Sequence, residues 1–184
     1  MMISKELAAA IMEQVGHEFQ ASHQYVNIAA YFDSLALKGL AKMFYKQGEE
    51  EREHAMKFVK YVSEAGGAVA LPAVPAPVAV FKSVKEAIEL SLKWEWEVTR
   101  RINALMALAI EQKDYLGQDF LRWFVTEQLE EVSTMENLLK VAEATGDRAA
   151  HEAAARAALG DLRLGVVGVG AGLAQYLGPV LERH

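Results

Sequence analysis

The stretch Phe44-Tyr45-Lys46-Gln47-Gly48-Glu49-Glu50-Glu51-Arg52-Glu53-His54-Ala55-Met56-Lys57-Phe58 decides the fold. Taken residue by residue it is an acidic run of the kind found on solvated helix faces. Taken in alternating steps of three and four, it sets Phe44, Gln47, Glu51, His54 and Phe58 on one helical stripe, apolar at both ends and polar in the middle. The stripe continues to Leu40 upstream and to Tyr61 and Ala65 downstream. A lone E-x-x-H on a helix is common and means little. This one acquires meaning only if other segments carry counterparts at the same depth.

They do. The same steps before it give Leu7, Ile11, Gln14, Glu18, Ala21, Tyr25, Ile28, Phe32 and Leu35. Further on they give Val84, Ile88, Ser91, Glu95, Val98, Ile102, Leu105 and Ala109, then Leu121, Phe124, Gln128, Glu131, Met135, Leu138 and Ala142. Each is the apolar seam of a bundle helix with a polar interruption near its middle. Glu18, Glu51 and His54 are each followed 77 residues later by Glu95, Gln128 and Glu131, an offset of eleven heptads. Two related halves are expected to bring their polar sets to one level.

Four proline-free segments carry these stripes, roughly Ile3–Leu37, Leu40–Ala65, Val84–Glu111 and Leu116–Ala144. Ser83 and Glu86 form a capping box at the third. The first two are separated by little more than Lys38-Gly39 and the last two by a few residues around Asp114, so each pair makes an antiparallel hairpin. Residues 66–82 contain Pro72, Pro75 and Pro77 and cannot be helical throughout. Extended, they reach about 55 Å, more than the roughly 40 Å of a 27-residue helix. This linker can run the length of the bundle and set helices two and three parallel. The expected fold is an all-α four-helix bundle with one long crossover.

The charge count then points to chemistry. The shared level holds four carboxylates, one imidazole and one amide, and no Lys or Arg stands on any of the four stripes. Burying four like charges together costs many kcal/mol, and protonating all of them leaves awkward polar packing. Two divalent cations supply the matching charge. Glu18, Glu51, His54, Glu95 and Glu131 are therefore the expected ligands, of a type that suits iron, manganese and sometimes zinc. The chain has no cysteine, which excludes disulfides, zinc fingers, iron–sulfur clusters and thiol nucleophiles. Hydrophobic residues at 52% and charged residues at 24% are ordinary for a soluble domain. The net charge of −6 gives no support to nucleic-acid binding.

With these residues in view, the chain resembles the bacterial non-haem ferritins over Met1 to Thr145. The resemblance rests on HEFQASHQY (His17–Tyr25), EEEREHA (Glu49–Ala55), WEWEVT (Trp94–Thr99) and WFVTEQLEE (Trp123–Glu131). It implies the ferritin-like bundle. It also implies a ferroxidase centre with two iron ions per subunit, one held by Glu18, Glu51 and His54 and the other by Glu51, Glu95 and Glu131. Glu51 would bridge them, with Gln128 close by. It further implies a third iron site at Glu50, Glu127 and Glu130, and a tyrosine, Tyr25, able to give the centre an electron or a hydrogen bond. Trp123 is a weaker candidate for that role. Dioxygen or hydrogen peroxide would oxidise Fe²⁺, and the mineral would be stored in a hollow homo-oligomer of 24 subunits. Asp119 matches an acidic residue of the family's threefold channels, whereas Arg122 stands where some relatives have a second carboxylate.

Two alternatives stay open. A bacterioferritin would carry a second E-x-x-H on helix four and a methionine after the first glutamate of helix two. Here Gln128-x-x-Glu131 and Arg52 stand at those places, so haem is not expected. A soluble di-iron oxidase would turn over without retaining iron. Met1 to Met12, interrupted by Lys5 and Glu6, does not read as a signal peptide, and a cytoplasmic location is expected. Residues 146–184 form a tail atypical of the family, with a helix over Ala149–Leu159. The uncharged, glycine-rich run Leu164–Val180 is expected to pack at an oligomer axis rather than to span a membrane. His17, His23, His151 and His184 fall off the stripes and read as surface residues. The Met and Trp residues read mostly as core packing.

Overall fold

Ser4 opens the first helix, its hydroxyl oxygen accepting the Leu7 N–H at 2.9 Å. The computed structural model describes the backbone of residues 2–164 and the side chains of residues 2–144. Four helices follow in order, α1 (Lys5–Ser34), α2 (Lys38–Glu64), α3 (Val84–Glu111) and α4 (Tyr115–Leu164), and no strand occurs among the described residues. Ser83 caps α3 by accepting the Glu86 N–H at 3.1 Å. Glu86 reaches back to the N–H of Lys82, one residue before the one that a capping box would use.

Helix α1 packs along α2 and α3 along α4, with further contacts between α1 and α3 and between α2 and α4. Two apolar clusters fix the directions. One joins the second half of α1 and the first half of α2 to the start of α3 and to Met135, Leu138 and Ala142 of α4. The other joins the first half of α1 and the second half of α2 to the end of α3 and to Leu121 and Phe124 of α4. Helices α2 and α3 therefore run parallel, as the long linker requires.

The linker is held against α1. Gln24 accepts the Val78 N–H at 2.8 Å and donates to the Val78 carbonyl at 3.2 Å, while Asn27 donates to the same carbonyl at 2.7 Å. Lower down, Pro72 sits so close to Gly16 that an added Cβ would lie 2.6 Å from its Cγ. A side chain there would push the crossover off the bundle.

The turns differ from the sequence reading. Gly39 lies inside α2, and the reversal is made at Leu35–Leu37 instead. There the Leu37 N–H reaches the Phe32 carbonyl at 3.0 Å and Ala36 takes a left-handed φ of 61°. This is a Schellman ending. Gly66 (φ 78°) and Lys113 (φ 54°) end α2 and α3 in the same way. Leu35, the last residue of the first stripe, is thereby left 38% exposed. Helix α4 also does not stop at Ala144 but continues to Leu164. One glycine at 146 costs about 1 kcal/mol, which the following proline-free, alanine-rich sequence outweighs. The expected helix over Ala149–Leu159 is part of this same element. Residues 165–184, and with them nearly all of the glycine-rich run, lie outside the described residues.

Ala36 pays a steric cost that glycine would not. Ala36→Gly is expected to stabilise the protein by about 0.5–1 kcal/mol, read as a higher midpoint in guanidinium unfolding. A lower midpoint would contradict the turn geometry.

Candidate metal centre

Between the two apolar clusters every stripe turns polar. Glu18 follows Val15 of one cluster and precedes Ala21 of the other, and Glu51, Glu95 and Glu131 are bracketed alike. Their exposures are 1%, 2%, 1% and 7%, and His54 is 5% exposed. The five expected ligands meet as two groups that share Glu51. Donor atoms of Glu18, Glu51 and His54 lie within 4.8 Å of one another, and so do those of Glu51, Glu95 and Glu131. Two oxygens on one ion at about 2.1 Å lie no more than roughly 4.2 Å apart, so each group needs only a small contraction to close.

Glu51 stands at the joint. Its Oε2 is 3.3 Å from Nδ1 of His54, and its Oε1 is buried with no partner. Glu18 Oε2 is also buried and unpartnered. Orphaned carboxylate oxygens in a closed core are what a cation would satisfy. The remaining lone pairs are held by neutral donors. Gln14 donates to Glu18 Oε1 at 2.9 Å, and Gln47 donates to Glu131 Oε2 at 2.7 Å. Gln128 donates to Glu95 Oε2 at 3.2 Å, with Thr99 and the Glu95 carbonyl within reach of the same amide. The Tyr25 hydroxyl, fully buried, donates to Glu95 Oε1.

The electrostatics follow from burial and crowding. Desolvation, reinforced by Glu51, raises the Glu18 pKa well above the usual carboxylate range. Desolvation also raises Glu51 strongly, with the charges of Glu95 and Glu131 adding to it. Glu95 is raised by burial, although Tyr25 and Gln128 pull it back. Glu131 is pushed up to about 8 by burial and then by Glu95. Burial and the neighbouring Glu95 also raise Tyr25, which keeps its proton. Without cations the level must therefore hold protons.

The other expected site residues are placed differently. Glu50 is bound by Lys46 at 2.6 Å, Glu127 reaches to 4.0 Å from Nε2 of His54, and Glu130 is exposed. Among the described residues these three do not close to the spacing of the two groups above. Trp123 stands edge-on to His54 at 5.3 Å under Lys57, whose Nζ is 3.4 Å from the ring centre. Trp123 and Trp96 are 40% and 53% exposed, so these two tryptophans are not core packing. His17 is half-buried against Trp94 rather than on the surface, and burial, with Arg101 nearby, lowers its pKa. His23 is exposed, and the side chains of His151 and His184 lie outside the described residues. Asp119 lies with Lys57, Phe120, Trp123 and Phe124 around a cavity of about 330 Å³, and Arg122 is exposed. The hydrogen-bonding roles of Gln14, Gln47 and Thr99 escaped the sequence reading. The signal for the first two was their polarity on a buried stripe four residues before a glutamate.

The profile of the ferritin-like domain matches residues 8–145. The chain belongs to the ferritin family. The chain is 43% identical over 138 residues to ferritin BfrB of Mycobacterium tuberculosis, covering 75% of this chain and 76% of that protein. The bacterial non-heme ferritin of Staphylococcus aureus is 40% identical over 146 residues, 79% of this chain and 88% of its own. Among solved structures, the open pore ferritin of the hyperthermophilic archaeon Archaeoglobus fulgidus superposes with a TM-score of 0.78 at 35% identity, covering 80% of this chain and 90% of the other. The all-α four-helix fold is thus the ferritin fold. No described helix of this member is long and apolar enough to cross a membrane.

The raised carboxyl pKa values give a signed expectation. These groups hold protons in the folded chain that the unfolded chain releases near 4.5, so their contribution to stability is complete below that value. It is lost as pH rises through the folded value, about 8 for Glu131. Chelator-treated protein should melt at falling temperature across that window. Added divalent cation should raise the melting temperature more at pH 8 than at pH 5. Thermal unfolding with and without chelator checks both, and a cation effect independent of pH would contradict the assignment.

Proposed function

We propose that this ferritin-family chain oxidises Fe²⁺ at the paired centre and stores the ferric product inside a hollow homo-oligomer. The observation that carries this reading is the pair of buried ligand groups joined by Glu51, with orphaned oxygens on Glu18 and Glu51. The names of the relatives, a ferritin and a non-heme ferritin, support it.

Iron is the substrate here, in two neighbouring positions. Glu18, Glu51 and His54 hold the first ion, and Glu51, Glu95 and Glu131 hold the second. Each Fe²⁺ gives up one electron. Dioxygen takes both electrons with two protons and leaves as hydrogen peroxide. Peroxide as oxidant takes two electrons and two protons to become water. Carboxylates suit the task because they bind both oxidation states and shift between terminal and bridging modes. Gln128 and the Tyr25 hydroxyl, each bonded to one oxygen of Glu95, keep that carboxylate in place. Glu50, Glu127 and Glu130 form a weaker third position beside the centre that hands iron onward. Haem has no part in this chemistry. Residues 1–145 are the working bundle and 146–184 an appended tail, in a cytoplasmic cage of twenty-four 20.3 kDa chains, about 490 kDa.

Aerobic addition of Fe²⁺ should produce ferric absorbance well above the buffer rate, with the iron co-eluting with protein. Glu51→Ala, which strips both positions, should slow the initial rate by about 100-fold or more. Oxidation no faster than buffer would defeat the ferroxidase reading, and turnover without retained iron would favour an oxidase. Light scattering checks the cage, and a small oligomer would refute it.

A further inference from the structure

Three of the four central carboxylates are each held by a side-chain amide. Gln14 holds Glu18, Gln47 holds Glu131 and Gln128 holds Glu95. The fourth, Glu51, is the one shared by both ligand groups, and no amide holds it. One of its oxygens is without a donor and the other lies beside His54, so that apart from these its carboxyl meets only the neighbouring carboxyl of Glu18. Gln128 has already been placed in the mechanism. Gln14 and Gln47 have not, and packing does not account for them. Both are buried, at 2% and 7% exposure, on stripes whose flanking members Ile11 and Phe44 are apolar. The Gln14 carbonyl oxygen is moreover left without a hydrogen-bond partner. A leucine or methionine would fill position 14 without that penalty.

We infer that Gln14 and Gln47 are positioning residues, each serving one ion: Gln14 holds Glu18 for the first position and Gln47 holds Glu131 for the second, while Glu51 stays free to move between them. The inference rests on the two-ion reading above. The terminal torsion of a glutamate is soft, so a carboxylate with no anchor turns widely. A donor fixed to Glu18 Oε1 aims Oε2 into the centre, and Oε2 is indeed the oxygen without a partner. The donor must also be neutral. Lys or Arg at either place would anchor the carboxylate but would neutralise it and repel the ion. The amide anchors without competing. Because Glu18 belongs only to the first group and Glu131 only to the second, the two effects are separable.

The test is anaerobic titration of the whole chain with Co²⁺, followed by its visible absorbance and fitted to two sites. Gln14→Met and Gln47→Met keep length and apolar volume but remove the donor. Each should weaken one Co²⁺ by about tenfold to a hundredfold and leave the other unchanged. In a Glu18→Gln background, Gln14→Met should add no further loss, whereas Gln47→Met should still weaken the ion that remains. Melting of the chelator-treated variants should be unchanged or higher. An affinity loss that tracks a lower melting temperature, an equal loss at both ions from each variant, or no loss at all would overturn the inference. If the methionine variants do not fold, Gln14→Asn and Gln47→Asn carry the same test. They keep an amide but withdraw it by one carbon, and each should weaken the same single ion. An unmodified chain that binds no Co²⁺ would defeat the two-ion reading itself, a distinguishable result.

Discussion

Four carboxyl groups share one level of a closed core, and the rest of the structure answers to that fact. In water each would be ionised and far from its neighbours. Here Glu18, Glu51, Glu95 and Glu131 are almost fully buried, so ionisation is opposed by desolvation and by mutual repulsion. The protein does not relieve this with lysine or arginine on the stripes. It supplies amides and a phenol, which bind carboxylates without cancelling their charge. Without cations the level is then neutralised by protons rather than by fixed positive charge, and cations can displace those protons.

Such a level would open if the bundle around it were weak. The two apolar clusters act as clamps above and below it. Phe58 stacks on Phe124 at 4.0 Å on one side, and Phe32 and Tyr25 pack edge-on to Phe44 at 5.2 and 5.7 Å on the other. Tyr25 belongs to both worlds, since its ring is core and its hydroxyl binds Glu95. The crossover matters to the same end. Only with α2 and α3 parallel do Glu51 and Glu95 reach one depth on helices whose N-termini lie at the same end. The contacts of Pro72 with α1 and of Val78 with Gln24 and Asn27 keep the linker along that path.

The stripes and the ligand set were legible in the sequence because heptad spacing is a local property that survives folding. Every stripe residue of α3 and α4 named from spacing is buried. What was not legible depended on contacts between distant segments or on backbone energetics. Gly39 looked like the turn because glycine is the usual left-handed residue, yet Ala36 takes that conformation. The Schellman hydrogen bonds from Ala36 and Leu37 evidently outweigh the steric cost. Trp96 and Trp123 looked like core by residue type, but both fall off the stripes and are partly exposed. Gln14 and Gln47 stood in plain view as polar stripe positions. Which carboxylate each would reach depended on rotamers and on a helix more than eighty residues away in the case of Gln47 and Glu131.

The two halves of the chain are related by 77 residues but not equal, and the inequality has a physical consequence. The first half contributes Glu51 and His54 where the second contributes Gln128 and Glu131. Had the second half repeated the first, each ion would have one imidazole and the two positions would match. Instead the first group has two carboxylates and a nitrogen, and the second has three carboxylates. An all-oxygen site favours harder, more highly charged ions, whereas imidazole moderates that preference. Under the proposed reading, a pair of positions so differentiated would treat ferrous and ferric ions unequally. Glu51, common to both groups and held by no amide, would then be the ligand through which that difference is adjusted.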